Sequence, residues 1–576
     1  MRKSDPCPLI RLFDESDLLQ AQWRQVGLLP AVAGLDNQEW VAYRQFERLC
    51  TLTASPFSWD IGPQLSDDLF APAIVTPLGS RTCLAEGATA ALSSVEALWM
   101  QLLPMWVEAM RSNAPNHVRS WYEVDLRGYR AYTLDVSVAE RAVRSRQRHQ
   151  QLAASRAGLF ARSANYMGSK TALAGQLLDI IDTVEPNEAT LVDLMCGSGA
   201  MAGAFSRHYR TVASDAQSFC RLLGLVQGGG MTRGHAASIA ERVMQGARKR
   251  YESLPDEQLK RIEEEHLLLN SELSSSAQDS IIAGFQNRVS VWEQEDLGSE
   301  EAVTNAWRCG RLLSHLYSGL YFGDRQAAEL DCLRQAIDDL SEERDRRWAL
   351  GALVCAASTC AHTYGGHFAQ PKLDITADGV RRGDLAEALK QRSLSVAHEF
   401  FVRLTSLAEE SEHVKYPVEV IAGPWEAALR ELARSRRGTP VCVYVDPPYT
   451  RDEYSRYYHV LEAIVRYQPQ SVSGKGRLPR RGSPGRFASP FSGRRPELIE
   501  REIAKVLQAC LTEGWTCLWS YSNTGTASIR GTLGHLEGVA SSIDIFKMPH
   551  VYKAQGKRNA KQVLEYAIHL RPSLRA

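Results

Sequence analysis

No two cysteines in this sequence form a Cys-x-x-Cys pair. There are 12, and the nearest two are Cys355 and Cys360. So sparse a set excludes a disulfide-built scaffold and fits a reducing compartment. Long apolar runs are missing too, none reaching the ~18 residues that span a bilayer. The opening MRKSDPCPLIRLFDE also lacks the apolar core of a signal peptide, so a soluble, cytoplasmic protein with no membrane partner is expected. Nor is there an excess of charge, since 67 Lys+Arg face 67 Asp+Glu. That excludes an indiscriminate polycation, whose affinity for nucleic acid comes from neutralising phosphates, but not positive charge gathered in one place. What is present is an ordinary globular composition, 576 residues and 44% apolar, enough for two or three domains.

Residues 1–150 give mixed packing signals and read as a mainly helical region of unknown role. Leu92, Val95, Leu98, Trp99, Leu102, Leu103 and Trp106 fall at helical spacing within Ala88–Arg111, where Pro104 should kink or break the helix. Between Val138 and Arg162, six arginines outnumber the acids. A solvated helix face and a DNA-facing one look alike at this level. After Gly168 the texture becomes strand, loop, helix, as in a parallel α/β sheet. Ser169 can cap a helix running to Val184, ATLVDLM (Ala189–Met195) reads as a buried strand, Ser198–His208 as the next helix, and RTVASD as a strand ending at Asp215. The stretch 219–414 is helical and charged, too long for a loop, and is therefore expected as an inserted subdomain. Strand signals resume at Val418–Trp425, Pro440–Tyr449 and Trp515–Asn523, with two more near the C-terminus. A sheet domain formed by 151–218 and 415–576 follows.

Two segments carry chemistry. DLMCGSG (Asp193–Gly199) lies at the end of a strand, where glycines let the backbone turn tightly and approach a ligand. Asp215 ends the next strand, a common place for an acid that binds ribose hydroxyls. In VYVDPPYT, Pro447 and Pro448 cannot extend a central strand, so the chain leaves the sheet at the cofactor crevice. Asp446 offers an acceptor there, Pro447 a carbonyl and Tyr449 an aromatic face. This set suits a flat base carrying an amino group.

With NYMGSK (Asn165–Lys170) ahead of them, these motifs stand in a set order, and the chain from Asn165 onward resembles the S-adenosylmethionine-dependent DNA adenine-N6 methyltransferases of the Dam-like, alpha-class type. The resemblance implies a Rossmann-like methyltransferase sheet, with the helical insertion carrying target recognition. It implies that Tyr166, Gly168 and Lys170 help hold S-adenosylmethionine, Lys170 near its carboxylate. Asp193, Gly197 and Gly199 would shape the methionine pocket, Asp215 would bind the ribose and Asp446 would border the cofactor. Asp446, Pro447, Pro448 and Tyr449 would form the catalytic turn, Tyr449 stacking on an adenine flipped from double-stranded DNA. One departure is AGPW at the third strand, where the family often has an acid, so the cofactor's adenine is left to Trp425 or to another group. Neither a metal nor a covalent enzyme intermediate is needed, because a sulfonium methyl is already activated.

Arg466–Pro496 contains Lys475, Arg477, Arg480, Arg481 and Arg486 and no acid. Its Gly, Ser and Pro argue for a flexible basic loop that contacts DNA, with Phe487 and Phe491 as stacking groups, though a solvated loop remains open. Tyr454, Arg456, Tyr457 and His459 should lie beside the site, and His367 and Gln370 in the insertion. The resemblance also implies that WSYSN, ending at Asn523, lies behind the target pocket, though its Ser and Asn could equally serve as strand-end hydrogen bonders. Two other readings stand beside adenine methylation: cytosine-N4 methylation, and a catalytically silent DNA-binding subunit of a modification complex. A restriction or phage-defence protein is a conceivable partner.

Overall fold

The computed structural model describes residues 164–573, apart from 271–295, 372–381, 553–560 and several isolated positions, and, of the first 163 residues, five short strands. The helix expected over Ala88–Arg111 and the arginines of Val138–Arg162 lie outside the described residues.

Nine strands form the main sheet: β1 (Tyr122–Leu126), β2 (Tyr129–Thr133), β3 (Thr190–Asp193), β4 (Thr211–Asp215), β5 (Glu419–Ala422), β6 (Val441–Val445), β7 (Thr516–Ser522), β8 (Ala540–Tyr552) and β9 (Lys561–Pro572). Their order across the sheet is β5-β4-β3-β6-β7-β9-β8-β2-β1. The first five are mutually parallel and the rest pair antiparallel. β6 shows why this sequence forms a central strand. Its five residues, VCVYV, are all buried, and β-branched and aromatic side chains fit a strand covered on both faces. The parallel half is the expected α/β sheet. The strand pair β1 and β2 extends it from within residues 1–150, where strands had not been expected.

The first helix departs from expectation at its start. Lys170–Ala172 is a 3-10 turn, and the α-helix, α1, begins only at Ala174 and ends at Val184. Ser169 caps neither; its hydroxyl instead lies 3.0 Å from that of Ser198. The turn matters because it leaves Lys170 at the sheet's carboxyl edge. Leu177, Leu178, Ile181 and Val184 are buried as their spacing predicts.

One face of the sheet packs on the helix Pro496–Thr512, with Ile499, Ile503 and Leu507 against Val443, Val445 and Trp519. The other carries α2 (Ala200–Ser206) and α3 (Ser218–Gln227). There the helical stretch joins the same core. Leu223 and Val226 of α3 cluster with Trp348 and Leu353 of the helix Glu343–Cys360, and with Leu461 and Ile464 from just beyond the Pro-Pro turn. Within 219–414 the described residues are mainly helices, with one two-stranded ribbon, Thr363–Tyr364 and His367–Pro371. No helix among the described residues is long and apolar enough to cross a membrane.

Candidate active site

Parallel strands end together, so the residues immediately after β3, β4 and β6 converge on one crevice. The structure has a cavity there of about 500 Å³, bordered by Tyr166, Lys170, Asp193, Gly197, Asp215 and Asp446, among others. That is the size of a small-molecule site. Every residue expected in the cofactor site lines it except Gly199, which stands behind the wall as the N-cap of α2.

The glycine turn is shaped by contact rather than by flexibility alone. Gly197 has φ +48°, and a Cβ there would lie 2.8 Å from the Tyr166 ring. Gly199 has φ +75°, and its Cβ would meet the α3 backbone at 2.7 Å. A side chain at either position needs both a left-handed backbone and a displaced neighbour. Asp215 accepts the Gly197 N–H at 3.1 Å and the Gln217 N–H at 2.8 Å. Burial pushes its carboxyl up to about 6, against the pull of those two N–H groups and of Arg221. Asp193 accepts the Ala202 N–H at 2.9 Å, and burial, with the Asp446 charge nearby, holds its carboxyl well above the usual range.

The Asp-Pro-Pro-Tyr turn leaves β6 at Asp446. Its carboxylate is 3.0 Å from the Lys170 ammonium and accepts the Tyr449 hydroxyl at 2.9 Å. Burial raises the Asp446 carboxyl, and Lys170 draws it back down. Lys170 also lies over the Tyr449 ring, 4.4 Å from its centroid. The Tyr449 hydroxyl points inward, reaching Glu565 at 3.0 Å and Ser520 at 3.3 Å, while Tyr521 packs edge-on at 4.8 Å. Glu565 sits on β9, directly opposite Ser522 of β7.

Sequence reasoning missed three members of this site. Tyr458 stacks on Tyr166 at 4.7 Å and 13°, and its hydroxyl accepts the Met167 N–H at 2.6 Å. Glu462 accepts the N–H groups of Ser218 and Phe219 at the start of α3. Tyr454, Tyr458 and Glu462 recur every four residues in DEYSRYYHVLE, a helical stripe that was available to find them. Glu565 had only a weaker signal, one acid among the apolar residues of QVLEYAIHL.

The basic segment is more built than expected. Val472–Ser473 and Leu478–Pro479 pair as a short ribbon. Phe487 and Phe491 line the cavity rather than projecting from the surface. Arg477 corrects the expectation of a DNA contact, for it is 7% exposed and its guanidinium donates to the carbonyls of His315 and Leu316. Arg480 and Arg481 are exposed. Glu453 pairs with Arg481 at 3.0 Å and with the mostly buried Arg486 at 3.2 Å. Lys475 and the side chain of Gln370 lie outside the described residues. His367 packs edge-on against Tyr457 at 4.7 Å. Trp425 does border the cavity, beside Glu426 at the head of the helix after β5.

The residues fit an adenosine cofactor on two observations of their own. A Cβ at Gly197, on the cavity wall, would meet the Tyr166 ring on the same wall, and the side-chain amide nitrogen of Gln217, also on the wall, is buried with no hydrogen-bond partner in the protein. A buried donor so placed requires an acceptor from a ligand or solvent. A family model described as D12 class N6 adenine-specific DNA methyltransferase matches residues 166–223, which span the glycine turn and Asp215. No curated protein matches the chain.

Proposed function

We propose that this protein is a DNA adenine methyltransferase like those of the D12 class, whose family model matches residues 166–223, and that it takes its methyl group from S-adenosylmethionine and transfers it to the N6 of an adenine flipped out of double-stranded DNA. The observation that carries this reading is the placement of Asp446 on the wall of the same cavity as Asp215 and the glycine turn. The acceptor for a base and the cradle for a nucleoside thereby open onto one space.

S-adenosylmethionine, when bound, supplies a methyl group already activated on a sulfonium. Asp215 would hold its ribose hydroxyls, and Gln217 and Trp425 would meet its adenine. The acids Asp193, Asp215 and Asp446 favour a cationic ligand. The remaining chemistry belongs to the turn. An exocyclic amine is a poor nucleophile because its lone pair is delocalised into the ring. Asp446 and the Pro447 carbonyl accept its two hydrogens, which favours a more tetrahedral nitrogen with its lone pair available, and Asp446 is the acceptor for the proton that is lost. For the base to stack on Tyr449, Lys170 has to stay on the far face of that ring or withdraw. Extruding the base costs a few kcal/mol, offset in part by stacking.

The exposed Arg480 and Arg481, beside the turn, are the proposed phosphate contacts, and the helical region 219–414 is proposed to read the target sequence. Single-molecule sequencing of DNA from cells expressing the protein tests the reading. It should show N6-methyladenine at one sequence, absent with Asp446→Ala; methylated cytosine, or adenine marks retained by that variant, would overturn it.

A further inference from the structure

The contacts around Tyr449 need more hydrogens than one phenol has. Its oxygen lies 2.9 Å from the Asp446 carboxyl and 3.0 Å from the Glu565 carboxyl. A phenol donates one hydrogen, and an ionised carboxylate donates none. With both acids charged, one contact would set two oxygens together with no proton between them, in a place where Glu565 is 7% exposed. The neighbours decide which acid keeps its proton. The Lys170 ammonium stands on Asp446 at 3.0 Å and makes Asp446 the ionised member. Among the described residues Glu565 has no ion pair that short, and burial raises its carboxyl, with Asp446 adding to the rise, against Lys170 and the Tyr449 bond.

We propose that Glu565 is a positioning residue for methyl transfer, held as the neutral carboxylic acid and donating to the Tyr449 hydroxyl, so that this hydroxyl donates in turn to Asp446. The chain Glu565, Tyr449, Asp446 then has one hydrogen per contact and a fixed direction. It orients the Asp446 carboxylate whose other lone pairs face the target amine, and it fixes the rotation of the Tyr449 ring. Glu565 touches neither cofactor nor base and acts through Tyr449. Ionising it would place a second anion against a hydroxyl already committed to Asp446, so the arrangement holds below the Glu565 pKa and is lost as pH rises through it. Among the described residues, the charged or titratable groups that face it are Lys170 from the 3-10 turn, Asp446 and Tyr449 from the catalytic turn and Tyr444 from β6; Ser520 of β7 adds a hydroxyl. The inference rests on the proposed methyl transfer for its kinetic arm only.

The test compares Glu565→Gln and Glu565→Ala in the full chain. Glutamine keeps the donor and cannot ionise. It should retain kcat within about threefold and lose the alkaline limb that Glu565 imposes, while alanine should cost tenfold or more in kcat with the KM for S-adenosylmethionine within about twofold. In the free protein, the infrared difference between wild type and Glu565→Gln should contain the C=O stretch of a protonated carboxyl. Equal damage from both variants, an unchanged alkaline limb in Glu565→Gln, or an infrared difference showing an ionised carboxylate would overturn the proposal. Should the wild type leave adenine unmethylated, the functional reading falls, whereas the infrared measurement still decides the state of Glu565.

Discussion

Lys170 and Asp446 meet as an ion pair at 3.0 Å, their side chains 7% and 16% exposed, and this contact joins the first motif of the chain to the last. The resemblance assigns Lys170 to the cofactor's carboxylate; in the structure its ammonium stands on Asp446, the acid proposed to face the base. Removing one partner of a buried pair leaves the other uncompensated, typically at about 3–5 kcal/mol. Lys170→Met should therefore lower stability by roughly that much, less what partial solvent access returns. The Asp446 carboxyl should also rise further. Since the role proposed for Asp446 requires the carboxylate, the acid limb of the kcat profile should move to higher pH. A limb that stays in place would detach Lys170 from Asp446.

Asp215 gives a second pH dependence, on binding. Its carboxyl is pushed up to about 6 by burial, and only the ionised form accepts two ribose hydroxyls. Affinity for S-adenosylmethionine, followed calorimetrically, should be constant above about pH 7 and weaken as pH falls through 6. Asp215→Ala should cost about 2 kcal/mol, the scale of hydrogen bonds to a charged group, and remove the pH dependence. A pH-dependent affinity that survives the substitution would place the titrating group elsewhere.

Gly197→Ala probes the cradle. The new methyl would meet the Tyr166 ring at 2.8 Å on a backbone at φ +48°. Because Tyr166 is stacked on Tyr458, it cannot yield without disturbing the helix His459–Arg466. Cofactor affinity should fall tenfold or more, equivalent to about 1.4 kcal/mol, with the circular dichroism of the fold retained. Unchanged affinity would show that the cofactor does not use this turn.

Arg477 should behave oppositely to its neighbours Arg480 and Arg481. Arg477 is buried against carbonyls, so Arg477→Ala leaves acceptors unsatisfied and should destabilise the fold by about 1–3 kcal/mol. The exposed pair Arg480→Ala with Arg481→Ala should leave stability unchanged, weaken DNA binding and flatten its dependence on salt, since fewer counterions are released. An unchanged salt slope would mean that the loop is merely solvated.

That contrast shows what a sequence discloses and what it withholds. The parallel strands were legible because most are short runs rich in β-branched or aromatic residues closed by a turn signal, as in VCVYV before Asp446. So was the convergence of Asp193, Asp215 and Asp446, because parallel strands end on one side. The antiparallel strand β9 hid Glu565, whose contact with Tyr449 depends on the register between β7 and β9, a long-range pairing that no local pattern encodes. Arg477 was misplaced for a related reason. Charge runs report composition, and only packing against the helix Leu312–Tyr317 turned one arginine of the run inward. The acid missing from Arg466–Pro496 is supplied by Glu453, from outside the segment.

The central claim is tested most directly by incubating the purified protein with methyl-tritiated S-adenosylmethionine and unmethylated double-stranded DNA, then separating the nucleosides. The account predicts label in N6-methyl-2′-deoxyadenosine of the DNA, and none with Asp446→Ala although that variant still folds and binds the cofactor. Label in cytosine, or no label in any DNA while the wild type binds S-adenosylmethionine, would contradict it.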